Sequence, residues 1–444
     1  MKVVSAKPEQ YGENWGDASD LFSDPRVHEM IELHVWTMRE GLRGATAGDL
    51  FDGYCQRLVA SGCALWRAHV STQTLHPQWG GYGYTWRREL NAVHAQQFVR
   101  GSAPQEWLDS PFHAVVSRAY AGEDNPSIRR RLELGPAHRD YPALHEFHAA
   151  GATDYLSTVY TFGERGDPAH GTGVVYSFTT DRRGGFSDEE LQLLRVTLPG
   201  LSLAIKAHAG YEIASGLFNT YLGADAGRRV HSGAVERGSV HRLRAVLWYA
   251  DIRGFTRVSD VTPGEQIIEM LDDVFETLTA ALRQRGGQVL KFIGDAMLAT
   301  LTCNGPDKTA ACRRALDAAI EATNALEVRN AERAAAGLPV VKVDIALHVG
   351  EVLYGNVGAA DRLDFTVIGP AVNEVARIEK LCEPLDRHIV VSSQFADASG
   401  GLDGRLEPLG SFELRGVAEH KSVYGLKRER EAETPSKTLG TQAA

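Results

Sequence analysis

Two aspartates lie inside runs that otherwise have the character of buried strands: Asp251 in AVLWYADIRGFT and Asp295 in GGQVLKFIGDAMLATL. A carboxylate among β-branched and aromatic neighbours is costly to desolvate unless something compensates it, and for two of them the usual compensation is a divalent cation. That points to metal-assisted chemistry on phosphate.

With 444 residues the chain exceeds one ordinary core and fits two domains of about 100–200 residues each, with a connector between them. Its composition, 43% hydrophobic and 23% charged, is that of a globular protein, and a formal net charge of −10 argues against non-specific nucleic-acid binding. A phosphate-bearing substrate would have to be held locally, by metals and a few placed cations. The five cysteines, Cys55, Cys63, Cys303, Cys312 and Cys382, form no CxxC pair and no zinc-like cluster, so they read as reduced, packed thiols of a cytoplasmic protein. No run approaches the roughly 18 uninterrupted apolar residues needed to span a bilayer. The polar ends, residues 1–24 and the tail 428–444, are expected to be loose.

Between 26 and 60, Val27, Met30, Ile31, Leu33 and Met38, then Leu50, Phe51, Tyr54 and Leu58, recur at helical spacing and predict two helices. A β-rich run, CALWRAHVSTQTLHPQWGG, follows; after a more helical middle come STVYTFGER and GTGVVYSFTT. Ser187 with Glu190 three residues on forms a capping box that opens a long amphipathic helix, continuing to about Leu222 before a Gly/Arg-rich stretch. Residues 26–210 resemble in this pattern a GAF-type sensor domain. The resemblance implies an unidentified small-molecule or protein regulator there, with 211–239 as a helical and Gly/Arg-rich connector. His145 and His148, like His76 and His94, read as ordinary helix and loop histidines rather than metal ligands.

From 244 onward strands and helices alternate: AVLWYAD as a buried strand, a helix with Ile267, Ile268, Leu271, Val274, Phe275, Leu278 and Leu282 on one stripe, then a hairpin turning at Gly294–Asp295. A helix over 307–335, two strands in VKVDIALHVGEVLYGNV, a strand FTVIG, a helix PAVNEVARIEKLC and a strand IVVSS complete the series. The order predicts an α/β fold with helices over one mixed sheet. Residues 240–427 resemble the class III nucleotidyl cyclase catalytic domain, with its ferredoxin-like mixed sheet. The motifs that carry the resemblance are DIxGFT at Asp251–Thr256, KxxGD at Lys291–Asp295, 44 residues from Asp251 to Asp295, and Asn373 with Arg377 in VIGPAVNEVARIE.

The resemblance implies cyclisation of a nucleoside triphosphate by in-line attack of the ribose 3′-oxygen on the α-phosphorus, assisted by two Mg²⁺ or Mn²⁺ ions per site held at Asp251, Ile252 and Asp295. The turn Arg253-Gly254-Phe255-Thr256 is suited, through its N–H groups, to the β- and γ-phosphates, with Gly254 allowing close approach. Asn373 would orient the ribose and Arg377, one turn further along a helix, would neutralise charge on the transferring phosphoryl group. Arg415, in FELRGVAEH, stands at the family's triphosphate-binding position.

Base choice is expected at Lys291 and Thr366. Lysine can donate to adenine N1, whereas guanine presents a hydrogen there, so ATP is the expected substrate. Thr366 departs from the commoner Asp and matches a subclass with members that respond to bicarbonate; Pro370, where Asp is frequent, fits a helix N1 position. The family's site draws on two catalytic domains, and this chain carries both residue sets on one, which implies a homodimer. A catalytically silent nucleotide- or partner-binding module and a guanylate cyclase are the alternatives.

Overall fold

A computed structural model of the chain describes residues 25–101, 104–162, 172–303, 308–415 and 420–427; the ends expected to be loose, 1–24 and 428–444, lie outside the described residues. The chain divides into two units, Met1–Leu217 and Phe218–Ala444. Among the described residues no helix is long and apolar enough to cross a membrane.

In the first unit the helical spacing over 26–60 produces α1 (Pro25–Leu42) and α2 (Ala47–Ala60), the latter capped by Thr46, whose hydroxyl accepts from the Asp49 N–H. Strands β1 (Arg67–Gln73), β2 (Trp79–Arg87) and β3 (Ala92–Val99) follow, then α3 (Gln105–Leu108), α4 (Pro111–Tyr120), β4 (Ser127–Arg131), α5 (Pro142–Ala149), β5 (Asp154–Phe162) and β6 (Thr172–Thr180). The helical middle thus begins later than expected. Residues 81–99 stay extended because the alternation of Gly81, Gly83 with Tyr82, Tyr84 and Trp86 registers against β1. All six strands are antiparallel, in the order β3-β2-β1-β6-β5-β4.

One face of that sheet buries Ala68, Val70, Trp86, Val174, Tyr176 and Phe178 against α2 and the long helix α6 (Asp188–Leu222). The capping box at its start is reciprocal: the Ser187 N–H donates to Glu190 Oε2 at 2.7 Å and the Glu190 N–H to Ser187 Oγ at 3.2 Å. Two buried phenols are satisfied within the core, Tyr54 by Thr197 at 2.6 Å and Tyr176 by Ser202 at 3.0 Å.

The second unit starts with α7 (Ala224–His231), a helix inside the stretch read as a Gly/Arg-rich connector. Ala226 is buried there, and Asn356 Nδ2 donates to the Ala234 carbonyl at 2.7 Å, so the segment packs onto its sheet. After it come β7 (Val240–Ile252), α8 (Phe255–Ser259), α9 (Gly264–Gln284), β8 (Gln288–Ile293), β9 (Ala296–Thr302), α10 (Lys308–Ala335), β10 (Val343–Gly358), β11 (Leu363–Ile368), α11 (Pro370–Glu379), β12 (Ile389–Ser392), α12 (Ser393–Ala398), β13 (Leu406–Phe412) and β14 (Lys421–Leu426). The sheet runs β13-β14-β12-β10-β7-β9-β8, with β11 paired to β10, and is mixed through the parallel β10–β12 pair.

Strand alternation sorts β7 between two layers. Val246, Trp248, Ala250 and Ile252 enter the core formed with α9 and α10, while Leu247 and Tyr249 face the cluster containing Val375 and Ile378 of α11. Two expectations are corrected. VKVDIALHVGEVLYGNV is one 16-residue strand, because Gly350 makes no turn and β10 pairs with β7 without interruption from Val343 to Gly355. On α9, Ile268 is 59% exposed, since Met270, Val274 and Leu278 set the buried stripe.

Gly350 serves close packing instead of turning the chain. A Cβ there would lie 2.3 Å from Ala371 Cβ at the start of α11. Gly350→Ala is expected to displace that helix and cost about 1–3 kcal/mol, read as a lower urea midpoint with unchanged slope.

Candidate active site

β7 ends in Asp251 and Ile252, on the strand next to β9, with Ala250 opposite Met297. The β8–β9 hairpin closes between Ile293 and Ala296, and Gly294 (φ 65°) supplies the left-handed residue of the two-residue turn. Asp295 is the other turn residue, so hairpin closure delivers it beside the end of β7. Its proximity is felt electrostatically: burial first, then the adjoining Asp295 carboxyl, lifts Asp251 to about 6. Asp251 Oδ1 is also buried without a hydrogen-bond partner.

A carboxyl that adjoins a second carboxyl and keeps one buried oxygen without a partner is the donor set a hard divalent cation needs. Among the described residues no group of three or more His, Cys, Asp and Glu side chains is placed to hold a metal. The pair therefore suits a cation of the Mg²⁺ type, which keeps waters and shares its shell with substrate phosphates instead of occupying an all-protein cage. Asp251, Asp295 and the main chain at Ile252 are the residues that would hold it.

This geometry has a pH signature. A carboxyl whose folded pKa, about 6, exceeds the ordinary 3.8 binds its proton more tightly in the folded chain. Its contribution is fully present below pH 3.8 and is lost as pH rises toward 6. Above that window the ionised pair costs about 1–2 kcal/mol after allowance for solvent screening of a half-buried group. Asp251→Asn should thus raise the metal-free melting temperature at pH 7.5, have little effect at pH 4, and abolish the gain produced by Mn²⁺ in the unaltered chain.

Immediately after Ile252 the chain turns. The Arg253 N–H donates to the Lys342 carbonyl at 2.8 Å, so it is not available to a phosphate as the sequence suggested. Its guanidinium is likewise engaged, donating from Nε and Nη2 to Asp344 at 2.8 and 2.6 Å and from Nη2 to the Arg387 carbonyl at 2.8 Å. Gly254, at φ 71°, starts α8, leaving Phe255 and Thr256 in its first turn. The first N–H groups of a helix have no intrahelical acceptor.

Lys291, on the edge strand β8, is ion-paired to Asp364 of β11. Phe365 and Val367 are buried, so Asp364 and Thr366 share the opposite face of β11, and the structure brings Lys291 to the face that carries Thr366. Pro370 stands at the first turn of α11 as expected. On that helix Ala371, Val375, Ile378 and Glu379 are buried, whereas Asn373 is exposed and Arg377 partly so, one turn apart. Arg415 is exposed in a turn after β13 and beside residues outside the described set.

Three partners were missed in the sequence. Asp344, 2% exposed, lies opposite Asp251 in the β10–β7 register and anchors Arg253; His388 Nδ1 also lies 3.2 Å from it. A carboxylate in the apolar run VKVDIALHV is the same signal that singled out Asp251. Glu379, 7% exposed, is raised to about 8, chiefly by burial and then by Asp251 and Asp344. Asp364 had no local signal, since its role depends on β11 lying near β8.

A mixed sheet with one carboxylate at the end of a central strand, a second in the adjoining hairpin turn, and an Asn–Arg pair one turn apart on a helix is the class of arrangement that serves phosphoryl chemistry with divalent cations. Residues 242–428 match the family model for the adenylate and guanylate cyclase catalytic domain, and this part of the chain carries such a domain. An adenylate cyclase of Anabaena cylindrica is 36% identical over 162 residues, 36% of this chain and 31% of that protein. Adenylate cyclase 1 of Rhizobium meliloti (strain 1021) is 25% identical over 195 residues, 44% of this chain and 29% of its own length. The match thus spans about a third of the length of these curated relatives. Among solved structures, the guanylyl cyclase Cya2 is similar at 24% identity and a TM-score of 0.38, covering 44% of this chain and 97% of that one. The adenylyl cyclase CyaB from P. aeruginosa is similar at 20% and 0.39, covering 44% and 98%. Scores of this size assign neither a substrate nor an assembly.

Proposed function

We propose that this protein is an adenylate cyclase, converting ATP to 3′,5′-cyclic AMP and pyrophosphate at sites formed between two copies of residues 240–427. The observation that carries the reading is the Asp251–Asp295 pair with its orphaned Asp251 oxygen. Two Mg²⁺ or Mn²⁺ ions, when bound, would acidify the ribose 3′-hydroxyl and neutralise charge on the departing pyrophosphate. Asp251, Ile252 and Asp295 would hold that centre, and Asp251 can take the 3′-hydroxyl proton transiently. The 3′-oxygen forms its bond to the α-phosphorus as the bond from that phosphorus to the bridging oxygen breaks, and pyrophosphate leaves with the electron pair.

The other residues act by position and charge. N–H groups at Gly254, Phe255 and Thr256 receive the β- and γ-phosphates, and Arg415 adds a cation to the triphosphate. From the second copy, Asn373 orients the ribose, Arg377 faces the charge that develops on the transferring group, and Lys291 with Thr366 reads the base. Support for a homodimer comes from Phe292 and Ile293, which flank the site on edge strand β8 and are 49% and 47% exposed. Residues 26–210 are read as a GAF-like sensor joined through 211–239; a regulator bound there changes activity only through unequal affinity for productive and unproductive catalytic pairings. Five free, buried cysteines accord with a cytoplasmic setting.

Asp364 favours a second reading in one respect. A carboxylate beside Lys291 accepts from guanine N1–H and the guanine amino group, so GTP is a real competitor. The test is product formation by the purified full-length chain with ATP or GTP and Mn²⁺. Cyclic AMP as the main product supports the assignment, cyclic GMP reverses it, and neither product favours a silent binding module. Lys291→Ala is expected to lower kcat/KM for ATP by about 10–100-fold, the range for losing one charged hydrogen bond, with a smaller change for GTP.

A further inference from the structure

We propose that the first unit binds an uncharged, ring-bearing small molecule in a cavity between its sheet and α4. The cavity measures about 650 Å³, within the range of small-molecule sites. It exists because the two faces of the sheet are filled differently. The core face carries Val70, Trp86, Tyr176 and Phe178, whereas the opposite face carries Ser71, Gly81 and Gly173 where β2, β1 and β6 run side by side. No larger residue is tolerated at two of these places: a Cβ at Gly81 would lie 2.7 Å from the Thr72 carbonyl oxygen, and one at Gly173 2.9 Å from that of Tyr160. Opposite this hollow stand Trp107 of α3 and Phe112, Val116 and Tyr120 of α4.

The lining selects the ligand's chemistry. Five aromatic rings, those of Phe98, Trp107, Phe112, Tyr120 and Phe162, border it, with Phe98 and Tyr120 each 38% exposed, so a flat ring finds faces and edges to pack on. Polar contacts come from neutral groups: Gln96 and Gln97, Thr161, and His69, whose Nδ1 lies 2.7 Å from Thr85 Oγ1 and whose ring meets Phe112 edge-on at 5.3 Å. Burial pushes His69 down to about 3, so it is a neutral imidazole. Among the described residues no lysine or arginine lines the cavity; the charged lining residues are Glu106, Glu123 and Asp124, all exposed, and Glu123 is ion-paired to Arg118. A phosphate or other anion entering here would lose its hydration without a compensating cation among the described residues and would meet carboxylates at the rim. An uncharged ring meets neither cost.

This inference goes beyond the cyclase reading and does not depend on it, since binding is measured without nucleotide or metal. N-phenyl-1-naphthylamine, an uncharged two-ring fluorophore, and 8-anilinonaphthalene-1-sulfonate, the same skeleton with a sulfonate, are titrated into the full-length chain. The expected result is one site per chain for the neutral probe, at least about tenfold tighter than for the sulfonate. Ser71→Phe and Val116→Trp, which fill the cavity from opposite walls, should each weaken the neutral probe by about tenfold or more while circular dichroism is retained. Glu106→Lys, at an exposed position where folding is not at risk, should narrow the gap between the probes by strengthening the sulfonate. No saturable binding of the neutral probe, a sulfonate that binds as well or better, an unchanged gap in Glu106→Lys, or undiminished binding in both filled variants would overturn the proposal.

Discussion

Asp295→Ala in the full-length chain should lower cyclic AMP formation from ATP and Mn²⁺ by about 10³-fold or more, since a lost cation centre removes several kcal/mol of transition-state stabilisation. The fold should survive. Asp295 lies in a two-residue turn whose geometry is set by Gly294, and its carboxylate adds repulsion to Asp251 instead of packing. The variant is therefore expected to melt no lower than the unaltered protein at pH 7.5. Undiminished product from a well-folded variant would remove the carboxylate pair from the mechanism. A total loss of structure would mean that Asp295 supports the hairpin in a way the turn geometry does not indicate.

A mixture of two inactive variants should recover activity. If Asp295→Ala and Arg377→Ala each disable a site shared between two copies, a mixed dimer has one site with both defects and one with neither. Random re-association makes half of the dimers mixed, each with one intact site of two, so activity should return to about one quarter of that of the unaltered protein. Alone, Arg377→Ala should fall by about 10²–10³ in kcat with a small change in KM, as for a group that acts on developing charge. No recovery on mixing, with exchange of copies shown by differently tagged chains, would mean that both residues serve a site within one copy.

Much of this architecture could be read from local pattern. The helices α1, α2, α9 and α10 are long and periodic, the Ser187–Glu190 capping box is a local interaction three residues apart, and the Gly294–Asp295 turn follows from a two-residue break between apolar runs. Errors came where a glycine has two uses. Gly350 looked like a turn and is a point of contact with Ala371, a distinction that depends on a helix twenty residues away. The connector after Leu222 looked irregular, yet α7 is stabilised by its packing against β10 residues more than a hundred positions on. The exposed Ile268 shows the same limit, since periodicity names a stripe and only packing decides how wide it is.

By itself the sequence determined that two carboxylates would be set in apolar strands, that one would sit in a tight turn, and that Asn373 and Arg377 would lie one helical turn apart. These are consequences of spacing and residue type within a few positions. Only the tertiary structure decided that Asp251 faces the α11 side of the sheet with Glu379 buried nearby, that Asp344 anchors Arg253 beneath the turn, and that Asp364 meets Lys291. Each of those pairings joins residues 73 to 128 positions apart along the chain. Electrostatic interactions depend on distance through space, and which distant carboxylate comes close is settled by strand order and register.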